Sequence, residues 1–230
     1  MSIYKTVRTR MKSIVGRLVA PYRIAYYLAK DGPRRLNIGC GYNTLPGWLN
    51  VDLGGGIRSA IWMDATRTFP IPTGSINAVL CEHMVEHVSK NDAAVLIGEV
   101  FRVLSPGGKF RIVTPDLGAM IDLYRESSDV RARNYLDFVA GLHGVATIST
   151  GDALNIIFYE YGHRHIYDID ELRSMLEDVG FAKIDVGRAG NPFDPMFENT
   201  EGHPHFTGFE NNAFEAFALE ATKSVVQRDL

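Results

Sequence analysis

The stretch Leu36-Asn37-Ile38-Gly39-Cys40-Gly41 is an apolar run that ends in a Gly-x-Gly turn. Glycines at such a turn let backbone amides approach a ligand that a Cβ would obstruct. The next apolar run, Leu49-Asn50-Val51, ends at Asp52, whose carboxylate is placed to accept hydrogen bonds from a ribose diol. These two segments predict the first two strands of a nucleoside-binding α/β domain.

The spacing within this stretch separates two kinds of nucleoside ligand. Asp52 follows Gly41 by only 11 residues, and no glycine stands where a G-x-G-x-x-G dinucleotide motif has its third. A diphosphate ligand is therefore disfavoured. Met63-Asp64-Ala65 supplies a second acid after the next apolar run, suited to an adenine amino group. Two acids without a phosphate-binding lysine favour a cationic nucleoside, and a sulfonium cofactor meets that description.

Further along the chain, short apolar runs alternate with helical patterns. A helix is expected over 92–104, ended by Ser105-Pro106-Gly107-Gly108, and another runs from a capping box at Asp168 and Glu171 to Gly180. Strands are predicted at 35–39, 48–52, 60–63, 76–81, 108–114, 181–186 and 214–221. The fold class is α/β: a doubly wound, Rossmann-like, seven-stranded and mostly parallel sheet with its ligand at the carboxyl ends of strands one to four.

Residues 35–230 form the predicted main domain, with an insert at 116–167 that is too long and too rich in helical patterning to be a simple connection. We expect this insert to shape a substrate pocket. No repeat or low-complexity tract interrupts the domain.

Residues 1–34 form a basic helical extension. Apolar residues recur at three- and four-residue steps, which predicts a helix over 2–29, interrupted near Pro21. The helix packs either on its own domain, on a second subunit, or on an anionic membrane surface. Residues 1–35 hold nine basic residues and one acid, whereas the rest carries 15 basic and 26 acidic residues, a balance of −11. This acidic body argues against nucleic acid as a partner.

The chain has 230 residues, of which 46% are apolar, so one folded domain is expected. Two cysteines cannot supply a disulfide framework, and no stretch is long and apolar enough to span a membrane. Basic residues are scattered through the first 20 positions, unlike a signal peptide. These features predict a cytoplasmic protein, with membrane association through the first helix left open.

Five segments together resemble the class I S-adenosylmethionine-dependent methyltransferases. They are LNIGCG (36–41), NVDL (50–53), MDA (63–65), AVLCEHMVEH (78–87) and EVFRVLSPGGKFRIVTPDL (99–117), and the resemblance extends over residues 35–221. It implies S-adenosylmethionine as the cofactor. Asn37 departs from the acid that the family commonly has two residues before the first glycine, so contact with the cofactor ammonium group is weakened or indirect.

The same resemblance assigns cofactor-binding residues. Gly39, Cys40 and Gly41 would line the methionine half, and Asp52 would hold the ribose, with Leu53 beside it. Asp64 and Ala65 would meet adenine, and Cys81, Glu82 and His83 would border the sulfonium.

Three further segments are similar to bacterial glycan-associated, type 11-like methyltransferases: YNTLPGWLNVDL (42–53), GHRHIYD (162–168) and FEAFALEATK (214–223). That similarity implies methylation of a sugar hydroxyl in a saccharide or polysaccharide precursor; a small hydroxylated metabolite is the alternative acceptor. Amino-group methyltransferases commonly have Asn or Asp, two prolines and an aromatic residue after the fourth strand. Cys81-Glu82-His83-Met84 stands there instead, which favours an oxygen nucleophile.

A base for such a hydroxyl is expected among His143, His163 and His165, which lie in or at the end of the insert. Asp116 and Tyr167 are candidates to orient the sugar. His163-x-His165 and His203-x-His205, with Glu201, could coordinate a divalent ion such as magnesium, but loop histidines are the simpler interpretation and no metal site is assigned.

Two rival functions remain. His83-Met84-Val85-Glu86-His87 matches the H-x-x-E-H pattern of an inverted zinc peptidase, although a peptidase leaves the glycine turn and the strand-end acids unexplained. A non-catalytic, cofactor-binding scaffold is the other rival.

Overall fold

The structure is a computed structural model that describes residues 3–54, 60–126 and 128–225, with side chains from residue 15 onward. Its strands are β1 (Arg35–Ile38), β2 (Leu49–Asp52), β3 (Ile61–Trp62), β4 (Ile76–Glu82), β5 (Leu104–Pro115), β6 (Phe181–Arg188) and β7 (Ala216–Lys223). Its α-helices are α1 (Ile3–Leu28), α2 (Lys90–Val103), α3 (Leu117–Arg125), α4 (Val130–Leu142), α5 (Thr150–Asn155), α6 (Ile169–Val179), α7 (Pro204–Thr207) and α8 (Phe209–Glu215).

The strands form one sheet in the order β3-β2-β1-β4-β5-β7-β6. β1 pairs in parallel with β2 and β4, so Ile38 lies opposite both Val51 and Cys81. β7 is antiparallel to both of its neighbours. The carboxyl ends of β1, β2, β4 and β5 therefore meet the amino end of β7 at one edge. The predicted Rossmann-like methyltransferase sheet is confirmed.

The predicted elements and the observed ones differ mainly at two places. α1 continues through Pro21, so the predicted interruption is wrong. Pro21 is exposed, and so is Arg17, whose carbonyl group loses its donor there. β5 begins at Leu104, and the pairing shifts from Ile76↔Leu104 to Ala78↔Lys109. The predicted turn at 105–108 is thus a bulge inside a strand, which Gly107 permits through its φ of +77°.

The insert packs around a hydrophobic cluster of its own. α3, α4 and α5 are followed by a π-helical turn at Ile156–Glu160. Their buried side chains include Met120, Tyr135, Val139 and Ile156, and Phe214 from α8 packs against them. The insert is thereby fixed beside the edge where the strands end.

α1 packs beside β3, at the edge of the sheet that is opposite β6. Ala20 and Ile24 are buried, and the Arg23 guanidinium donates a hydrogen bond to the Ala60 carbonyl at 3.1 Å. The Tyr27 hydroxyl accepts from the Arg35 amide at 2.8 Å. Among the described helices, none has the length and hydropathy of a membrane span.

A buried ionic network holds the loop that follows β6. Arg111 is completely buried in β5; its Nε donates to Glu201 at 2.7 Å and its Nη1 donates to Glu220 at 2.7 Å. Glu220 also accepts from the amides of Phe193 and Asp194, both at 2.9 Å. The loop between β6 and α7 is therefore attached to the centre of the sheet.

We expect Arg111→Met to lower the free energy of unfolding by about 3–5 kcal/mol, because Glu201 and Glu220 would lose their buried partner. Urea unfolding followed by circular dichroism measures the loss. Arg131→Met is the matched control, since its contact with Asp129 is exposed, and it should leave the transition midpoint nearly unchanged. Equal stability of the two variants would contradict the structural role of the network.

Candidate active site

The turn after β1 provides an open main-chain curve. Gly39 and Gly41 have φ values of +65° and +48°, which favour glycine. A Cβ on Gly39 would lie 2.7 Å from the Met84 Cβ, whereas one on Gly41 would meet nothing within 4 Å. The Cys40 side chain is buried, and burial together with the Asp52 carboxylate raises its pKa to about 12. Cys40 therefore offers its backbone rather than a reactive thiolate.

Asp52 faces this turn from the end of β2. One carboxylate oxygen accepts from the Gly41 amide at 3.0 Å and the other from the Gly54 amide at 2.5 Å. The carboxylate is thus fixed beside the glycine turn, and each oxygen has a further lone pair for a diol. Leu53 is exposed next to it.

Asp64 follows β3 and is bound within its own loop. Oδ1 accepts from the Thr66 amide and hydroxyl at 3.0 and 2.7 Å, and Oδ2 accepts from Arg67 Nε at 3.0 Å. Burial raises the pKa of Asp64, but these hydrogen bonds outweigh it and the net pKa is lowered. Ala65 is buried in the core. The predicted adenine contact would therefore have to share Asp64 with Thr66 and Arg67.

The end of β4 differs from the prediction at Cys81. Its side chain is fully buried in the main core, so only its backbone can border a ligand. Glu82 binds the loop after β6: Oε2 accepts from the Gly202 amide at 2.8 Å and Oε1 from the His203 amide at 2.9 Å. Asn43 also donates to Glu82 Oε2, at 3.2 Å. Glu82 thereby joins the glycine-turn segment to the loop that carries His203.

His83 lies among carboxylates. Its Nδ1 is 3.2 Å from Glu86 Oε1, and its backbone has a φ of +45°. Burial lowers the pKa of His83, but the hydrogen bond and the charges of Glu86, Glu215 and Glu82 outweigh it and raise the pKa to about 9. His83 Nε2 is buried and has no hydrogen-bond partner among the described residues. His83 is therefore a cation near neutral pH with one donor left for a ligand.

His203 stacks on His83, with ring centroids 3.8 Å apart. Its Nε2 is 2.9 Å from Glu215 Oε1, and the Tyr135 hydroxyl donates to Glu215 Oε2 at 2.6 Å. Glu86 Oε2 accepts from the Thr114 hydroxyl at 3.1 Å. We call His83, Glu86, His203 and Glu215 the imidazole–carboxylate cluster.

The three predicted bases lie around this cluster in different settings. His163 Nδ1 is 2.5 Å from the Ile157 carbonyl oxygen; its ring meets His87 edge-on at 4.8 Å, and burial lowers its pKa. His143 is exposed and its Nε2 lies 3.3 Å from the Tyr161 hydroxyl. His165 Nε2 is 3.0 Å from Glu171, which also pairs with Lys90.

The two predicted sugar-orienting residues have mainly structural contacts. Asp116 caps α3 by accepting from the Gly118 amide at 2.8 Å, and burial raises its pKa. The Tyr167 side chain is fully buried, so the position that it occupies does not present it to a sugar. Tyr167 instead pairs with Asp116 in an isolated parallel bridge and packs against His165.

The described side chains do not form the zinc arrangement of the H-x-x-E-H pattern. His83 bonds Glu86, and only Val85–His87 is helical, so His83 and His87 do not share one α-helical turn. The group within this region that could hold a metal is Glu86, His87 and His163. Two imidazoles and one carboxylate do not fit magnesium, which prefers oxygen ligands. His203 is bound to Glu215 rather than grouped with His205.

Sequence reasoning missed Glu215 and Tyr135, and it considered His203 only as a metal ligand. Glu215 lies 12 positions after His203, at the end of α8, so that α7, Gly208 and the rest of α8 separate them. No local spacing signals this contact, because the tight turn at Gly208 and the amino end of β7 bring the two residues together.

Comparison with known proteins agrees with this geometry. Residues 36–112 match a family model described as a methyltransferase domain. No curated protein matches the chain in sequence.

Among solved structures, a SAM-dependent methyltransferase from Archaeoglobus fulgidus is 15% identical, with a TM-score of 0.50, over 96% of this chain and 100% of that one. A Haemonchus contortus phosphoethanolamine N-methyltransferase 2, in complex with phosphomonomethylethanolamine and S-adenosylhomocysteine, is 14% identical with a TM-score of 0.50. It is matched over 89% of this chain, which spans about half of that protein (52%). Residues 36–112 are thus similar to a methyltransferase domain, and the structural likenesses show a Rossmann-like methyltransferase fold.

Proposed function

We propose that this protein is an S-adenosylmethionine-dependent O-methyltransferase that acts on a sugar hydroxyl of a saccharide or polysaccharide precursor. The family match over residues 36–112 supports methyl transfer. The observation that carries the choice of oxygen is the His203–Glu215 pair beside the end of β4, at 2.9 Å. That pair provides a base, which a hydroxyl nucleophile needs.

The residues at the strand ends fit the cofactor. The uncrowded backbone at Gly41 and the fixed carboxylate of Asp52 suit a methionine chain and a ribose diol. When bound, S-adenosylmethionine supplies an electrophilic methyl group on a sulfonium centre. The charges of Glu82, Glu86 and Glu215 lie near the same edge and favour a cation there.

His203 is the group best placed to take the proton of the acceptor hydroxyl. Glu215 accepts a hydrogen bond from Nε2 of His203. This bond sets the tautomer of the imidazole and leaves Nδ1 as its basic nitrogen. Among the described residues, Nδ1 of His203 has no hydrogen-bond partner. Glu215 is itself held by the Tyr135 hydroxyl, so the imidazole is oriented by a bonded chain of side chains, as in other carboxylate–imidazole pairs.

The stack places His203 directly against His83, with ring centroids 3.8 Å apart. Burial lowers the pKa of His83, but its hydrogen bond to Glu86 and the nearby carboxylate charges outweigh burial and raise the pKa to about 9. The Nε2 atom of His83 then offers a hydrogen bond that an acceptor oxygen would satisfy, beside the His203 imidazole.

The carboxylates beside the end of β4 are held in place by neighbouring groups. Glu82 is engaged by the Gly202 and His203 amides, Glu86 by His83 and Thr114, and Glu215 by His203 and Tyr135. Tyr161, which is half exposed and 5.9 Å from His163 by ring centroids, offers an amphipathic ring suited to a sugar face.

We expect the protein to transfer radiolabelled methyl groups to saccharides and not to amine-bearing analogues of matched size. His203→Gln should lower kcat by at least about 100-fold, with the KM for S-adenosylmethionine little changed, because only the base is lost. His205→Gln is the matched control, since His205 is exposed and contacts only Phe209 among the aromatic rings. Methylation of amines alone, or full activity of His203→Gln, would contradict the proposal.

Asp52→Ala should weaken S-adenosylmethionine binding by about 1–3 kcal/mol, because the ribose would lose its hydrogen-bond acceptor. Isothermal titration calorimetry measures the affinity. Asp170→Ala removes a carboxylate that is 93% exposed and should bind the cofactor like the unmodified protein. Unchanged affinity of the Asp52 variant would remove Asp52 from the cofactor site.

The raised pKa of His83 has a consequence for stability. The folded-state pKa of about 9 lies above the ordinary value of 6.5, so His83 stabilises the fold fully below pH 6.5 and this contribution is lost as pH rises to 9. The free energy of unfolding, measured with urea across that range, should fall. The decline should be smaller in His83→Gln and retained in His205→Gln. An identical pH dependence in all three proteins would contradict the assignment of the proton to His83.

A further inference from the structure

The outward face of α1 carries a row of large apolar side chains. Val15, Leu18, Val19, Tyr22 and Tyr26 are exposed, from 40% for Val19 to 79% for Tyr22. Their three- and four-residue spacing places them within an arc of about 100° on the helix. We call these five residues the outer stripe.

The outer stripe is not the face that attaches α1 to the domain. Ala20 and Ile24 are buried on a different side, and a Cβ on Gly16 would lie 3.3 Å from the Trp62 Cβ. Tyr27 is hydrogen-bonded to the Arg35 backbone at the end of the helix. One face of α1 therefore packs on the domain. The other face, which carries the outer stripe, lies in solvent.

The basic charge of this part of the chain indicates which kind of partner the outer stripe would bind. Residues 1–35 contain nine basic residues and one acidic residue, and Lys5, Arg8, Arg10 and Lys12 precede the outer stripe in the same helix. An apolar stripe that follows four basic residues in the same helix, with tyrosines among its members, suits the interface of an anionic bilayer. Tyrosine rings also concentrate at that depth of a membrane.

We infer that the outer stripe docks α1 flat on an anionic membrane surface. The apolar side chains enter the boundary between headgroups and acyl chains, and the basic residues contact lipid phosphates. The remainder of the chain has a balance of −11 and is repelled by the same surface, which orients the protein with α1 toward the lipid. This inference does not depend on the proposed acceptor.

A second copy of the chain is a poorer occupant of the outer stripe. A symmetric dimer through α1 would bring two basic helices side by side, and like charges would oppose their approach. An anionic lipid surface has the opposite charge along its whole extent. The apolar stripe and the basic residues then contribute to the same contact.

Flotation of the full chain with vesicles tests this docking. We expect binding to vesicles of equal parts phosphatidylglycerol and phosphatidylcholine, and weak binding to phosphatidylcholine alone. Leu18→Glu with Tyr22→Glu should reduce the bound fraction at least about tenfold, since it removes buried apolar area and adds negative charge. High salt should also weaken binding of the unmodified protein.

Val95→Glu is the matched control, because Val95 is 44% exposed on α2, away from the outer stripe. It should bind anionic vesicles like the unmodified protein. Circular dichroism checks that the double variant is folded. Equal binding to both vesicle types, or full binding by the double variant, would overturn the inference. So would an unmodified protein that is dimeric by analytical ultracentrifugation, becomes monomeric in the double variant, and binds no vesicles.

Discussion

Parallel pairing of β1 with both β2 and β4 is the constraint on which the site depends. Because Ile38 is in register with Val51 and with Cys81, the residues that follow these strands emerge at the same edge of the sheet. Gly41 can then donate to Asp52, and Glu82 can reach Asn43. A shift of one residue would turn the buried side chains of β1 to the other face, so the hydrophobic core fixes the geometry of a polar site.

The second half of the site is positioned by buried charge. Arg111 joins Glu201 and Glu220 inside the fold, and these contacts attach the loop after β6 to the sheet. Gly202 and His203 lie at the end of that loop, and their backbone amides donate hydrogen bonds to Glu82. The stacked imidazoles are a result of this attachment. A charged network in the core thus places the group that we propose as a base.

The sequence predicted β1 to β4 well because each is a short apolar run ended by glycine or an acid. β2, β4 and α6 lie within two residues of their predicted bounds, and Asp168 caps α6 by accepting from the Glu171 amide at 2.8 Å. The errors occurred where local signals are weaker than the context. Pro21 is tolerated because the helix is supported by its packing on β3, and the residues at 105–108 remain within the strand as a bulge because β4 pairs on either side of them.

The sequence by itself determined which chemical groups follow the successive strands: a glycine turn, an acid 11 residues later, a second acid, and a polar segment after the fourth strand. These are local patterns, and the sheet topology carries them to one edge. Only the tertiary structure decided which imidazoles meet carboxylates. His203 and Glu215 come together through a loop and two short helices, and Cys81 and Tyr167 turn into the core, because side-chain orientation follows from packing between distant segments.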